Sequence, residues 1–335
     1  MAANIDQAEY FANSRAGSCL VKGLVASVAR ILFAVGLWTA CGVNQVSPTG
    51  RACPCPEGWF CCPVNNTCVK EGDACELGAF TTPAELQGTN DCYQPSLTGD
   101  LLQIFVACNN RPGGLGKLDI WYSTRVEEGD DWAKLEPIPQ LNSPERDRTP
   151  EVSSDGRELY FSSNRDGVDN IWRSTRDGAS DPWSPPVLVD ELSSENVEYG
   201  SAPNAPGTLL VICTNRPGTV GNMDIFLAER NEADQLWSAL DRLAFVNTVE
   251  EEGTAMLGPR GVHLFWGAQR ADSTGGKDLY QATRTSLQDS FETVKKIEEL
   301  ATDQDESAPW IADDLRTIFF QSRRDGISRI YQATR

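Results

Sequence analysis

The sequence has 335 residues, of which 40% are hydrophobic and 23% are charged, so the chain can bury a substantial core. This composition excludes an intrinsically disordered chain. A formal net charge of -19 opposes binding to nucleic acid and to anionic membrane surfaces, because both require clustered Lys and Arg side chains.

Residues 1–40 are interpreted as an export signal. Lys22 and Arg30 precede a ten-residue apolar run that is too short to span a bilayer but fits a signal h-region. This run and the cysteine that follows it, Cys41, resemble a bacterial lipoprotein signal. The resemblance implies that Cys41 is lipidated and that the lipid alone attaches the protein to the cell envelope, at the outer membrane or on the periplasmic side. Simple secretion is the alternative.

The first 20 residues are polar and long for the start of a signal. Two interpretations stay open: the true start lies near Val21, or the segment is a harmless extension. Residues 41–52 are predicted to be a polar linker that separates the following domains from the lipid.

The next segment, residues 53–75, is predicted to be a small knob held together by disulfides. At this density of cysteines a hydrophobic core cannot form, so three disulfides are expected, and fifteen pairings remain open. Zinc binding is the weaker alternative because no second C-x2-C pair and no nearby histidine accompany the segment. A spacer or a partner-docking role is the expected function. The cysteines are Cys53, Cys55, Cys61, Cys62, Cys68 and Cys75.

An arginine-containing phrase then recurs five times, at steps of 51 or 54 residues. Each copy is followed after 11 or 14 residues by a second arginine. A period of this size, containing several short strands, predicts a radially repeated fold in which neighbouring units bury each other's apolar faces. The arginines of the phrase are Arg111, Arg165, Arg216, Arg270 and Arg324, and the second set is Arg125, Arg176, Arg230, Arg284 and Arg335.

Each repeat is interpreted as a four-stranded antiparallel blade. Asp-Gly turns such as Asp155-Gly156 separate β-rich runs, and the third strand always ends on an aromatic residue. The fourth strand is predicted to begin at Trp132, Trp183, Trp237 and Phe291, and a fifth copy is missing after Arg335. We therefore predict an all-β, five-bladed β-propeller over residues 79–335, in which the segment Phe80–Leu86 completes the last blade and closes the ring.

Residues 153–172 and 318–331 resemble the WD40-like (PD40, TolB-type) β-propeller repeat. The family pattern runs from a Ser-Pro-Asp-Gly turn through Ser-Asn-Arg-Asp-Gly to an Ile-Tyr or Ile-Trp strand, and the resemblance extends over residues 80–335. It implies a propeller of envelope or secreted proteins that is used for protein contacts. Nothing outside the repeats resembles the other domain of TolB.

Two cysteines, Cys92 and Cys108, flank the first strand pair and are predicted to form a fourth disulfide. Cys213 has no evident mate and is predicted to be a buried free thiol. His263, the only histidine, is predicted to lie on the solvent side of a second strand.

The loops that lead into the innermost strands are rich in carboxylates. One interpretation is that the turn arginines of the same face neutralise them. The other is a rim that binds a cation or a cationic ligand, with Ca²⁺ as the expected ion because it takes oxygen ligands of this kind. No other cofactor is expected. The rim acids are Asp91, Glu145, Asp147, Glu195, Glu198, Glu250, Glu251, Glu252, Asp303, Asp305 and Glu306.

Sets of catalytic residues are not evident in the sequence. A single histidine leaves no His-based triad or multi-His metal site, and no Gly-rich phosphate loop follows a strand. We therefore expect a monomeric, non-enzymatic, lipid-anchored envelope protein whose propeller binds an envelope protein or a surface glycan. The alternatives are a calcium-dependent ligand-binding propeller and, by fold analogy alone, a glycoside hydrolase that uses two carboxylates.

Overall fold

The computed structural model describes residues 51–62, 64, 66–70, 75–200 and 203–335. The chain divides into two units, Met1–Val46 and Ser47–Arg335. The export signal, Cys41 and most of the linker lie outside the described residues, so the expectations about them are untested. Among the described residues, no helix has the length and apolar character needed to cross a membrane.

The described part of the chain contains 22 strands and one 3-10 turn, Glu298–Leu300. The strands are β1 (Trp59–Cys62), β2 (Thr67–Lys70), β3 (Ala84–Glu85), β4 (Cys92–Leu97), β5 (Gln103–Asn109), β6 (Leu118–Thr124), β7 (Glu136–Pro137), β8 (Asp147–Val152), β9 (Glu158–Ser163), β10 (Asn170–Thr175), β11 (Val187–Leu188), β12 (Glu198–Tyr199), β13 (Leu209–Thr214), β14 (Asp224–Glu229), β15 (Asp241–Arg242), β16 (Glu252–Leu257), β17 (His263–Ala268), β18 (Asp278–Thr283), β19 (Lys295–Lys296), β20 (Glu306–Ile311), β21 (Thr317–Ser322) and β22 (Arg329–Thr334).

Five four-stranded antiparallel sheets form the blades of a propeller. In chain order the blades are β4–β7, β8–β11, β12–β15, β16–β19 and finally β20–β22 with β3. Within blade 2, Asp147 pairs with Ser163 and Asn170 also pairs with Ser163, so three strands meet in register. Gly156 has φ of 71° and Gly167 has φ of 111°, the left-handed conformations that these tight turns require. The prediction of an all-β, five-bladed propeller is confirmed.

The N-terminal strand closes the ring. Ala84 pairs with Gln332, and Glu85 pairs with Tyr331. The Leu86 N–H donates to the carbonyl of Ile330 at 2.8 Å, which extends the ladder by one bond. This pairing satisfies the outer edge of β22, which would otherwise offer unpaired backbone groups to other chains. The predicted closure by the segment near Phe80 is therefore confirmed.

The hydrophobic core lies between neighbouring blades. The aromatic residues that end the third strands are buried, as Trp121 at 3% exposure and Phe226 at 6% illustrate. Burial of such a ring removes roughly 150–250 Å² from water, which stabilises the fold by about 4–6 kcal/mol as an upper bound. The core depends on neighbours because each blade covers only one face of the next.

The regular ladders of the outer strands begin four residues later than predicted. Trp132, for example, precedes β7, which starts at Glu136. The physical reason is that these aromatic rings lie under the second set of arginines. The guanidinium of Arg176 is 4.2 Å from the ring of Trp183, and its Nε donates to the carbonyl of Gly156 at 2.6 Å. The strand-end arginines therefore cover an aromatic ring and satisfy a turn carbonyl.

The cysteine-rich segment packs against the propeller within the same unit. Its hairpin of β1 and β2 carries three disulfides, Cys53–Cys61, Cys55–Cys68 and Cys62–Cys75. Cys62 and Cys75 belong to one buried cluster with blade residues such as Phe265 and Ile318. The ring of Phe60 lies 4.0 Å from the guanidinium of Arg260.

His263 is buried, which corrects the prediction that it faces solvent. Only 2% of the residue is exposed, and its Nε2 accepts a hydrogen bond from the backbone N–H of Cys75 at 3.2 Å. The sequence pattern of β17 does not reveal this burial because the cover comes from the distant cysteine-rich segment. Burial lowers the pKa of His263 to about 3, and the nearby Arg335 and Arg260 lower it further.

The remaining cysteines lie in the blades. Cys92 and Cys108 are directly paired residues of β4 and β5 and form a disulfide. Cys213 is a buried free thiol, as predicted, and its Sγ lies 2.8 Å from the carbonyl of Gly253. Burial raises the pKa of the Cys213 thiol, which keeps it protonated and unreactive.

Candidate functional site

One end of the central channel gathers residues from every blade. The chain enters each innermost strand from a loop that joins two blades, and these loops share a face with the turns between the second and third strands. We call this the mouth face. Its inter-blade loops are residues 87–91, 138–146, 189–197, 243–251 and 297–305, and its turns are 110–117, 164–169, 215–223, 269–277 and 323–328.

Four of the predicted rim acids are the first residues of innermost strands, and all four are fully buried. Each forms an ion pair with the turn arginine of its own blade. Such a pair is a structural clamp, because a buried carboxylate without a cation would be strongly destabilising. The distances are 2.6 Å for Asp147 with Arg165, 3.0 Å for Glu198 with Arg216, 3.5 Å for Glu252 with Arg270 and 3.6 Å for Glu306 with Arg324.

Each clamp also fastens the preceding inter-blade loop. Arg165 donates to the carbonyl of Leu141 at 2.6 Å, and Arg324 donates to the carbonyl of Leu300 at 2.9 Å. Burial raises the pKa of Glu306, and hydrogen bonds from Ser322 and Thr302 oppose that shift. The acid, the arginine and the loop carbonyl therefore form one repeated unit that joins neighbouring blades.

Blade 1 departs from this arrangement. Cys92 takes the place of the acid and is bonded to Cys108, whereas Arg111 donates to the carbonyl of Gly88 at 3.0 Å. The arginine thus keeps its bond to the loop without a carboxylate partner. A covalent link replaces the ion pair where the ring is closed by a non-contiguous strand.

The other rim acids do not converge on one point. Asp91, Glu145, Glu195, Glu250 and Asp303 are exposed on five separate loops. In the described part of the chain, the only group of three metal-ligating side chains within 4.8 Å of one another is Cys53, Cys55 and Cys61, whose sulfurs are in disulfides. The geometry therefore favours pairing over a calcium site.

Two rim acids belong to ion pairs outside the clamps. Glu251 contacts the Nζ of Lys277 at 2.6 Å, and Asp305 contacts Arg323 at 3.9 Å. These acids are about two-fifths exposed, so their pairs are wetter than the clamps.

Three residues that differ from blade to blade meet at the mouth between blades 2 and 3. Arg148 is the second residue of β8, a position held by Tyr93, Tyr199, Gly253 and Ser307 in the other blades. Its guanidinium lies 4.1 Å from the ring of Tyr199, and its Nη2 lies 2.5 Å from Asp169.

Asp169 is only 3% exposed and pairs with two arginines. The second partner, Arg146, lies 3.2 Å away and is about half exposed. Two cations and one carboxylate leave this corner with a formal charge of +1 in a protein whose net charge is -19. Donors and acceptors therefore lie side by side next to an aromatic ring.

A second exposed pair lies at blade 4. The Nζ of Lys277 binds Glu251, and a Cβ placed on Gly253 would lie 4.0 Å from that Nζ. Glycine at this position leaves the mouth open beside the ammonium group. The mouth thus presents Arg148–Asp169 and Lys277–Glu251 as two acid–base pairs, with Tyr199 beside the first.

The rim acids were predicted from the sequence, whereas Arg148, Asp169, Tyr199 and Lys277 were not. The available signal was a departure from the repeat at a fixed register position of the innermost strand. That signal is visible only when the five repeats are aligned on the turn arginines.

No protein-family model matches the sequence, and no curated protein matches it. Among solved structures, the catalytic domain of a GH62 α-L-arabinofuranosidase from Coprinopsis cinerea aligns with 76% of this chain and 96% of its own, at 10% identity and a TM-score of 0.50. A GH62 hydrolase solved in complex with xylotriose aligns over 77% and 96%, at 11% identity and a TM-score of 0.50. TolB from Agrobacterium tumefaciens aligns over 70% of both chains, at 14% identity and a TM-score of 0.45.

The comparisons correct the expectation that the protein is not an enzyme. That expectation treated the propeller as a binding fold, yet glycoside hydrolases share it. A fold that is common to binding proteins and hydrolases gives no ground for excluding catalysis.

Proposed function

We propose that this protein is an exported cell-envelope protein that binds a surface glycan at the mouth face. Export is supported by the apolar run before Cys41 and by four disulfides, which persist in oxidising compartments. Anchoring through a lipid on Cys41, and descent from the TolB-type propellers, form part of the same proposal.

The observation that carries the proposal is the contrast between repeated and unrepeated residues at the mouth. The repeated acids and arginines hold the blades together, so they are not available to a ligand. Arg148, Asp169 and Tyr199 occur once each and lie together where the channel opens.

The chemistry of the mouth suits a neutral glycan. An acid–base pair offers a donor and an acceptor side by side, which complements neighbouring hydroxyl groups of a sugar. A half-buried tyrosine ring offers apolar surface to a sugar ring. The net charge of -19 repels long polyanions.

Binding is tested with immobilised neutral hexasaccharides and with a carboxylated hexasaccharide of the same length. The key variant is Arg148→Met, which keeps apolar contact with Tyr199 but removes the charge. Arg157→Met is the matched control, because Arg157 is an exposed arginine in a turn of the opposite face. Thermal melting of each variant verifies folding.

The expected result is binding of a neutral hexasaccharide that weakens by about tenfold or more in Arg148→Met and is unchanged in Arg157→Met. Equal binding by the two variants, or preference for the carboxylated sugar, contradicts the proposal. Release of reducing ends is measured on the same samples, so any hydrolysis at this site is detected directly.

A further inference from the structure

The inter-blade loops share a common pattern, and one of them breaks it with large apolar residues. The two positions in question are the third and seventh residues of each loop, which lie on the mouth face. In three loops they are mainly charged or polar, whereas the loop between blades 3 and 4 has Phe245, at 64% exposure, and Val249, at 79% exposure. The pairs are Gln140 and Pro144, Glu191 and Glu195, Phe245 and Val249, and Glu299 and Asp303.

A third apolar residue lies against this loop. Val220, which is 48% exposed, belongs to the turn of blade 3. The turn packs directly on the loop, because a Cβ placed on Gly221 would lie 1.9 Å from the carbonyl oxygen of Glu250. We call Val220, Phe245 and Val249 the apolar corner.

The backbone that carries the apolar corner is held in place. Asn247 accepts a hydrogen bond from the N–H of Ile225 at 2.7 Å and donates to its carbonyl at 2.8 Å. The N–H of Val220 donates to Asp224 at 2.9 Å. These bonds fix the loop and the turn, so the exposure of three apolar side chains does not result from a poorly held segment.

The apolar corner makes no contribution to the core that would explain it. The inward-facing residue of the same loop is Val246, which is fully buried, and Phe245 points to solvent beside it. Water contact with large apolar side chains is unfavourable, and contiguous groups of them mark interaction surfaces. A preformed surface of this kind also binds at a lower entropic cost.

The charges around the apolar corner indicate its partner. Glu250, which follows Val249 directly, is exposed, and the whole protein carries a net charge of -19. A second copy of the chain would bring the same carboxylates together, which disfavours self-association. We propose that the apolar corner docks a protein partner that offers an apolar pocket edged by Lys and Arg side chains. This surface is separate from Arg148 and Tyr199, so the proposal does not depend on glycan binding.

The test places the photoreactive residue p-benzoylphenylalanine at Val220 in the full-length chain, produced in its own cells. Irradiation links it to whatever lies on the apolar corner. Two variants restore the residue of another loop: Phe245→Gln copies Gln140, and Val249→Glu copies Glu195. The matched control is Val126→Glu, because Val126 is 82% exposed on the opposite face. Thermal melting verifies that all three fold.

The expected product is an adduct with one basic protein. Its yield falls by about tenfold or more in Phe245→Gln and in Val249→Glu, as for an interface anchor, and is unchanged in Val126→Glu. Its yield also falls when salt is raised from about 0.05 M to about 0.5 M, because the rim charges are screened. An adduct with a second copy, with a glycan or with no protein overturns the proposal, and so does a yield that Phe245→Gln leaves unchanged.

Discussion

Protonation of His263 should loosen the contact between the cysteine-rich segment and blade 4. The ring accepts a hydrogen bond from the N–H of Cys75 through Nε2, so a proton on that atom would remove the acceptor. The pKa of His263 is about 3 in the folded protein and 6.5 as a free side chain. Because the folded pKa is the lower one, the stabilisation is complete above pH 6.5 and is lost as the pH falls toward 3.

The size of the effect follows from that difference in pKa. Each pH unit below 6.5 costs about 1.4 kcal/mol while only the unfolded state binds the proton, so a fall from pH 7 to pH 4 costs about 3 kcal/mol. His263→Gln is the informative variant, because its amide oxygen can accept the same hydrogen bond and does not titrate in this range.

The assay is urea unfolding of both proteins at pH 7 and pH 4. The wild type should lose about 3 kcal/mol more free energy of unfolding than His263→Gln does across this interval. Other titrating groups are common to both proteins and cancel in the comparison. An equal loss in the two proteins would refute a neutral His263 in the folded state.

Three further predictions concern the blades and the rim. Arg165→Ala should lower the free energy of unfolding in urea by about 3–5 kcal/mol, because it leaves the buried Asp147 without its cation; a loss below about 1 kcal/mol would contradict the clamp. Joint replacement of Cys92 and Cys108 by alanine should cost about 3 kcal/mol in the same assay, the typical value for a loop of this length, and an unchanged midpoint would argue against the disulfide. Millimolar Ca²⁺ should leave the melting temperature unchanged because the rim acids are clamped or dispersed; a rise of several degrees would restore the cation interpretation.

Much of the fold could be read from local signals. The Asp155-Gly156 turn, the recurring arginines and the aromatic ends of the third strands are set by short-range chemistry, and they repeat with a constant period. The absence of a fifth outer strand after Arg335, together with a matching segment near Phe80, was sufficient to predict how the ring closes. Closure needs only a count of strands, so sequence reasoning succeeded.

The outer strands and His263 were misplaced for a common reason. The tryptophans that seemed to begin the fourth strands are held under arginines of the preceding strand, as Trp183 is under Arg176. His263 is covered by a segment whose cysteine lies 188 residues earlier in the chain. Both outcomes depend on contacts between residues that no periodic pattern relates.

The sequence by itself determined the number of blades, their strand order and the ring closure, because turn chemistry and strand patterning act over a few residues and repeat. It also determined that carboxylates and arginines share one face. Only the tertiary structure decided which of these charges are consumed in clamps and that Arg148, Asp169 and Tyr199 meet at the mouth. Burial and pairing are properties of neighbouring blades in space, so side chains of the same type at one face acquire different roles when the ring closes.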